Sequence, residues 1–151
     1  MPVEAAVVSL EEASTIVDVT LQEGVRHGYA PLTAVVLDTG GHLVAAKRSD
    51  HSSIMRVELA FAKAWGVLAM GWSGREIVQR AHKLPQFFAT LGMIAGGRMV
   101  PVAGGVPIRD GAGRLVGAVG VSGDASDNDE ACAVTGIEAA GLVAWLDPLT
   151  G

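Results

Sequence analysis

The stretch from Ile54 to Met70 constrains this chain more than any other. It holds three charges in 17 residues: Arg56, Glu58 and Lys63. Val57, Phe61, Ala64 and Leu68 recur at helical spacing on one face, while Leu59, Ala62, Trp65 and Ala69 cover most of the opposite one. A helix apolar nearly all round must be covered on both sides. A second such segment runs from Ala131 to Leu146, where Glu138 is the only charge. A chain of 151 residues has room for about one core. The outer cover is therefore expected to come from partner subunits, in a homo-oligomer.

The remaining elements alternate in a readable order. Ser9 and Glu12 form a capping-box pattern that opens a helix ending near Gly28. Leu32–Asp38 and His42–Arg48 read as strands joined by Thr39-Gly40-Gly41, and the first is apolar enough to lie inside a sheet. Ser52 or Ser53 can cap the apolar helix. Ser73 and Glu76 open a shorter polar helix stopped by Pro85, and Gln86–Ile94, ambiguous in pattern, fits one more helical turn. A second hairpin, Val106–Arg109 and Arg114–Ser122, turns at Asp110-Gly111-Ala112-Gly113. Asp127 and Glu130 then open a helix running to about Trp145. Paired hairpins with flanking helices give an α+β domain with an antiparallel sheet, and a fifth strand would fit near Arg98–Val102.

Charge and composition exclude several functions. Eleven Lys and Arg against sixteen Asp and Glu give a net charge of −5, with no basic run to hold nucleic acid. Every apolar stretch is broken well short of the roughly 18 residues that a membrane span needs. The segment Met1-Pro2-Val3-Glu4 lacks a basic leader, so a cytoplasmic location is expected. Cys132 stands alone, and four scattered histidines offer no paired metal-ligand spacing. Pro2 could expose an amine base after loss of Met1, but nothing else fits that chemistry.

The candidate ligand-binding residues cluster in two segments. Pro101–Pro107 is rich in Gly and Pro, and Gly104, Gly105, Val106 and Pro107 could present backbone groups to a ligand. Arg56 and Lys63, seven residues apart on one helical stripe, could neutralise the carboxylates of a flat ligand. One imidazole suffices as an axial haem ligand, and His27 or His51 could supply it. Were the protein an enzyme acting on a small organic acid, Lys63 would fix the carboxylate and Glu130 would move a proton. Asp124, Asp127, Asp129 and Glu130 are otherwise explained as acids complementing a helix N-terminus.

Three segments carry a resemblance. These are Val36-Leu37-Asp38-Thr39-Gly40-Gly41-His42-Leu43-Val44, Gly104-Gly105-Val106-Pro107-Ile108, and Gly117-Ala118-Val119-Gly120-Val121-Ser122-Gly123 followed by Asp129-Glu130-Ala131-Cys132. In that order the chain resembles the GlcG/HbpS-like haem-binding family, which includes the C-terminal domain of PduO-type proteins. The resemblance implies a single domain over 1–151, a profilin-like five-stranded antiparallel sheet with helices on it, oligomeric assembly, and haem as a cofactor. Lys63, the Gly104–Pro107 loop and the Asp129-Glu130 pair are the positions that match the family's motifs.

Overall fold

The computed structural model describes residues 6–146, so Pro2 lies outside the described residues. Helix α1 (Leu10–Arg26) starts on the expected capping box: the Ser9 hydroxyl accepts from the Glu12 N–H at 3.0 Å, and the Glu12 carboxylate accepts from the Ser9 N–H at 2.9 Å. Strands β1 (Thr33–Leu37) and β2 (Leu43–Arg48) form the first hairpin. Asp38 closes its turn by accepting from the Gly40 and His42 N–H groups, while Gly41 takes the left-handed conformation the turn needs.

Helices α2 (Arg56–Met70), α3 (Gly74–Lys83) and α4 (Pro85–Ile94) follow, then β3 (Gly105–Arg109), β4 (Leu115–Ser122), α5 (Ser126–Ala139) and the short β5 (Val143–Ala144). The five strands make one antiparallel sheet in the order β2-β1-β4-β3-β5. β1 is internal and buried along its whole length, as its unbroken apolar run requires. Ala34 and Val36 face α1 and α5, whereas Val35 and Leu37 face α2. The core thus lies in two sheets of side chains, one on each face of the strands.

Several boundaries differ from those expected. The apolar helix begins at Arg56 with Met55 as an uncapped N-cap, because Ser52 is turned inward to Thr33 Oγ1 at 2.8 Å and Ser53 meets the Arg56 guanidinium. Residues 85–94 form a full helix with Pro85 in its first turn, where its missing N–H costs nothing. The last helix stops at Ala139, and Gly141 reverses the chain so that β5 pairs with the end of β3. The fifth strand is therefore 143–144 and not 98–102. Asp127 does not cap α5, whose N-cap is Ala125. Pro107 lies within β3, where its carbonyl accepts from the Trp145 N–H.

Much of the second cover on α2 comes from the chain itself. Met99 packs over Gly66, the Arg98 guanidinium stacks 4.3 Å from the Trp65 ring centre, and Gly41 touches the same indole. The core stripe is Ala60, Ala64 and Val67, set by how closely the helix meets β4. At Gly120 an added Cβ would overlap the Ala60 carbonyl oxygen, so only glycine allows that approach. The apolar residues left in water are concentrated at helix ends, among them Ile54, Met55 and Val57 at the start of α2 and Met93 and Ile94 at the end of α4.

Candidate functional site

The strand register brings four strand ends together. Thr33 pairs with both Arg48 and Ser122, and Gly105 pairs with Gly120. The starts of β1 and β3 and the ends of β2 and β4 therefore share one edge of the sheet, and α5 begins just beyond β4. Most of the candidate residues fall along this edge.

Lys63 lies at its centre. The side chain comes from α2 yet is only 5% exposed, and its Nζ donates to Val121 O at 2.8 Å and to Asp129 Oδ2 at 3.2 Å. Asp129 is fully buried, and its other oxygen accepts from the Asp124 N–H at 2.9 Å. Burial pushes the Lys63 pKa down against the opposing pull of Asp129, and burial pushes the Asp129 carboxyl up against its hydrogen bonds and Lys63. The motif glycines make room for this pair. A Cβ on Gly104 would come 2.9 Å from Lys63 Nζ, and one on Gly105 would strike the Lys63 carbonyl. Gly104 also holds a φ of 115°, which disfavours any other residue.

Arg56 sits further along the same helix face. It donates to the Ser122 hydroxyl at 3.0 Å and to Ser53 Oγ at 3.2 Å. Glu130 turns the other way from Asp129. Its Oε1 accepts from Arg75 Nε at 2.6 Å, while Oε2 is buried and has no hydrogen-bond partner among the described residues. Lys63 and Glu130 are thus neighbours through Asp129, yet each is bonded within its own ion pair.

Two clefts flank this centre. One, of about 680 Å³, lies between α3 and α5, with Arg75, Val78, Ala131, Val134 and Glu130 in its walls. The other, of about 510 Å³, lies between the end of α1 and the end of β2, walled by Leu21, Val25, Pro31 and Leu32, with Tyr29, Arg48, Ser49 and Asp50 as polar groups. Neither has Lys63 or Arg56 in its walls. The family model described as haem-degrading protein HbpS-like matches residues 8–138. The chain belongs to this family.

Solved structures agree with the HbpS-like fold. A PduOC–haem complex superposes with a TM-score of 0.80 at 23% identity, covering 90% of this chain and 96% of that one. HbpS itself gives 0.77 at 24% identity, with 89% and 91% covered. The protein ORFY of Klebsiella pneumoniae gives 0.82 at 19% identity, with 93% and 94% covered. At these identities the likeness is one of fold. No curated protein matches the chain.

The histidines of this HbpS-like chain separate from the buried pair. His27 caps the end of α1, contacts Glu23 Oε1 at 2.8 Å, and stacks on Tyr29 with ring centres 5.1 Å apart. His51 is exposed in a left-handed turn directly after Asp50, itself a wall of the α1 cleft. Neither is in the walls of that cleft; each lies next to a wall residue, Tyr29 or Asp50. Cys132 is buried, with its thiol pushed up to about 11 by burial, which leaves it unreactive. Sequence reasoning passed over Arg75, Tyr29 and Arg48, and explained Asp124 only as an acid at a helix start. Arg75 carried one signal, its place one residue inside the start of a capped helix. Asp124 carried none, since its role is to accept from the Ala30 N–H, 94 residues away. Asp129 and Glu130, explained from sequence as dipole complements, are instead buried partners of cations.

Proposed function

We propose that this HbpS-like protein binds haem, or a related flat anionic ligand, in the cleft between α1 and β2. What supports this reading is one cleft with apolar residues and a cation in its walls, beside which His27 stacks on the wall residue Tyr29 and His51 follows the wall residue Asp50 in sequence. Its size lies inside the roughly 300–1,000 Å³ range of small-molecule sites. Leu21, Val25 and Leu32 suit a flat apolar face, and Arg48 suits a carboxylate at its margin. The contact of His27 with Glu23 is the arrangement that orients a metal-binding imidazole, engaging one ring nitrogen and leaving the other for a metal. Bound haem would supply an iron able to take one axial imidazole.

In this reading Arg56 and Lys63 support the cleft from behind. Arg56 fixes Ser122 at the strand edge, and Lys63 holds Asp129, which holds Asp124, which holds Ala30 in the cleft wall. The Gly104–Pro107 segment gives Lys63 its space. The protein is further proposed to be a cytoplasmic homo-oligomer, the assembly supported by Ile54 and Met93, each more than three-quarters exposed.

A hemin titration tests the ligand reading, and sedimentation with and without hemin tests assembly. A saturable Soret shift is expected, changed in position by His27→Ala or His51→Ala. Arg48→Ala should weaken binding about tenfold, the effect of losing about 1.4 kcal/mol from one partly exposed charge-assisted bond. Absence of a saturable shift in the intact protein overturns the reading.

A further inference from the structure

We infer that the cleft between α3 and α4 is a second binding site, taking a small aromatic carboxylate. The cleft holds about 360 Å³, with Trp72, Leu84, Phe87 and Phe88 as apolar walls and Glu76, Arg80 and Lys83 as charged ones. Two features combine there. The first is an arginine held ready. The Arg80 guanidinium lies 3.9 Å from the Trp72 ring centre, and its Nε donates to Glu76 Oε1 at 2.8 Å. Those two contacts fix the plane and the direction of the group. Its two terminal nitrogens have no hydrogen-bond partner among the described residues. A guanidinium fixed in this way keeps its outer fork for a planar carboxylate and loses little rotamer freedom in binding one. The second feature is aromatic surface left in water. Phe88 is buried, but Phe87, edge-on to it with ring centres 5.8 Å apart, is 52% exposed, and Leu84 of the same cleft is 55% exposed.

Charge decides the sign of the ligand. Two cations, Arg80 and Lys83, against one carboxylate, Glu76, leave these walls at a formal +1. The Lys83 ammonium is exposed and forms no ion pair among the described residues. Glu76 is paired with Arg80 and its side chain is only 13% exposed, so it presents little charge to an incoming group. Leu84 is both the C-cap of α3 and the N-cap of α4, so the opposed partial charges of the two helix ends cancel there. An ammonium would have to displace Arg80 from Glu76, and a neutral ring would leave the fork and Lys83 unused. A carboxylate takes the Arg80 fork, and its ring lies against Phe87 and Leu84, covering their exposed area. One ring suits the space, which is near the lower end of the roughly 300–1,000 Å³ range of small-molecule sites. No residue of these walls belongs to the α1 cleft, so the test is independent of hemin binding.

The test compares phenylacetate, phenethyl alcohol, phenethylammonium and acetate by amide chemical-shift titration of the intact protein at neutral pH. Saturable shifts confined to residues 72–88 are expected for phenylacetate. Binding should be at least about tenfold weaker for phenethyl alcohol, which lacks the charge, and for acetate, which lacks the ring. Phenethylammonium should not saturate. Arg80→Lys keeps the charge but removes the fork, and should weaken phenylacetate about tenfold. Lys83→Gln and Phe87→Ala alter exposed side chains and leave the fold intact, and each should weaken it about threefold. No saturation by phenylacetate, phenethylammonium binding as tightly, or an affinity unchanged in all three variants would each overturn the inference. Shifts at the same residues that follow protein dilution and not the probe would assign the wall to a second copy of the chain, with the same result.

Discussion

Replacing Lys63 by Met tests the energetic role of the buried centre. Among the described residues Lys63 is the one cation bonded to Asp129, and the carboxylate is fully enclosed. Without it Asp129 keeps only the Asp124 N–H. Removing one partner of a buried pair costs about 3–5 kcal/mol, because the other charge is left uncompensated. For a domain of this length that is a fall of roughly 6–20 °C in Tm. Adding Asp129→Asn removes the stranded charge while keeping an oxygen for Asp124. The double variant should therefore be more stable than Lys63→Met alone by at least about 1.5 kcal/mol, the size of coupling seen between contacting groups. Urea unfolding followed by tryptophan fluorescence at neutral pH measures both. The pH dependence gives a second readout. Burial raises the Asp129 pKa, so the folded chain holds that proton where the unfolded carboxyl, ordinarily near ~3.9, has lost it. Its contribution is fully present below about pH 4 and is lost as the pH rises through the folded value. The stability of the wild type relative to Asp129→Asn should accordingly fall over that window. A Lys63→Met cost under about 1 kcal/mol, or effects that add within about 0.5 kcal/mol, would refute the reasoning.

Two further outcomes follow from packing and burial. Gly120→Ala should cost about 1–3 kcal/mol, because its methyl overlaps the Ala60 carbonyl; Gly113→Ala, with no neighbour near and only a left-handed φ of 82°, should cost about 1 kcal/mol by thermal melting. Cys132 should resist a thiol reagent at pH 8 until urea unfolds the chain; rapid stoichiometric labelling of the native protein would contradict its burial and a thiol pushed up to about 11.

The outline of the fold was legible because local patterns fixed it. Ser9 and Glu12 placed α1, the Gly40-Gly41 turn placed the first hairpin, and the apolar run of β1 placed it inside the sheet. What sequence could not give was anything set by distant partners. The short β5 depends on Gly141 returning the chain to β3, and two residues carry too little pattern to announce a strand. The low charge of α2 calls for cover on both faces, and Met99 and Arg98 supply part of it from a segment with no regular structure, which no pattern in the sequence announces. Lys63 and the Asp129-Glu130 pair were singled out, but their pairing across 66 residues follows from the strand register and not from spacing.

The loop from Gly123 to Ala125 has a consequence for engineering. Within three residues it leaves the sheet, grips the segment ahead of β1 through Asp124, and delivers Asp129 to the opposite layer. Lengthening it by even one residue would shift both clefts at once, whereas the turn at 110–113, bonded mainly to itself, would accept a peptide tag with neither disturbed.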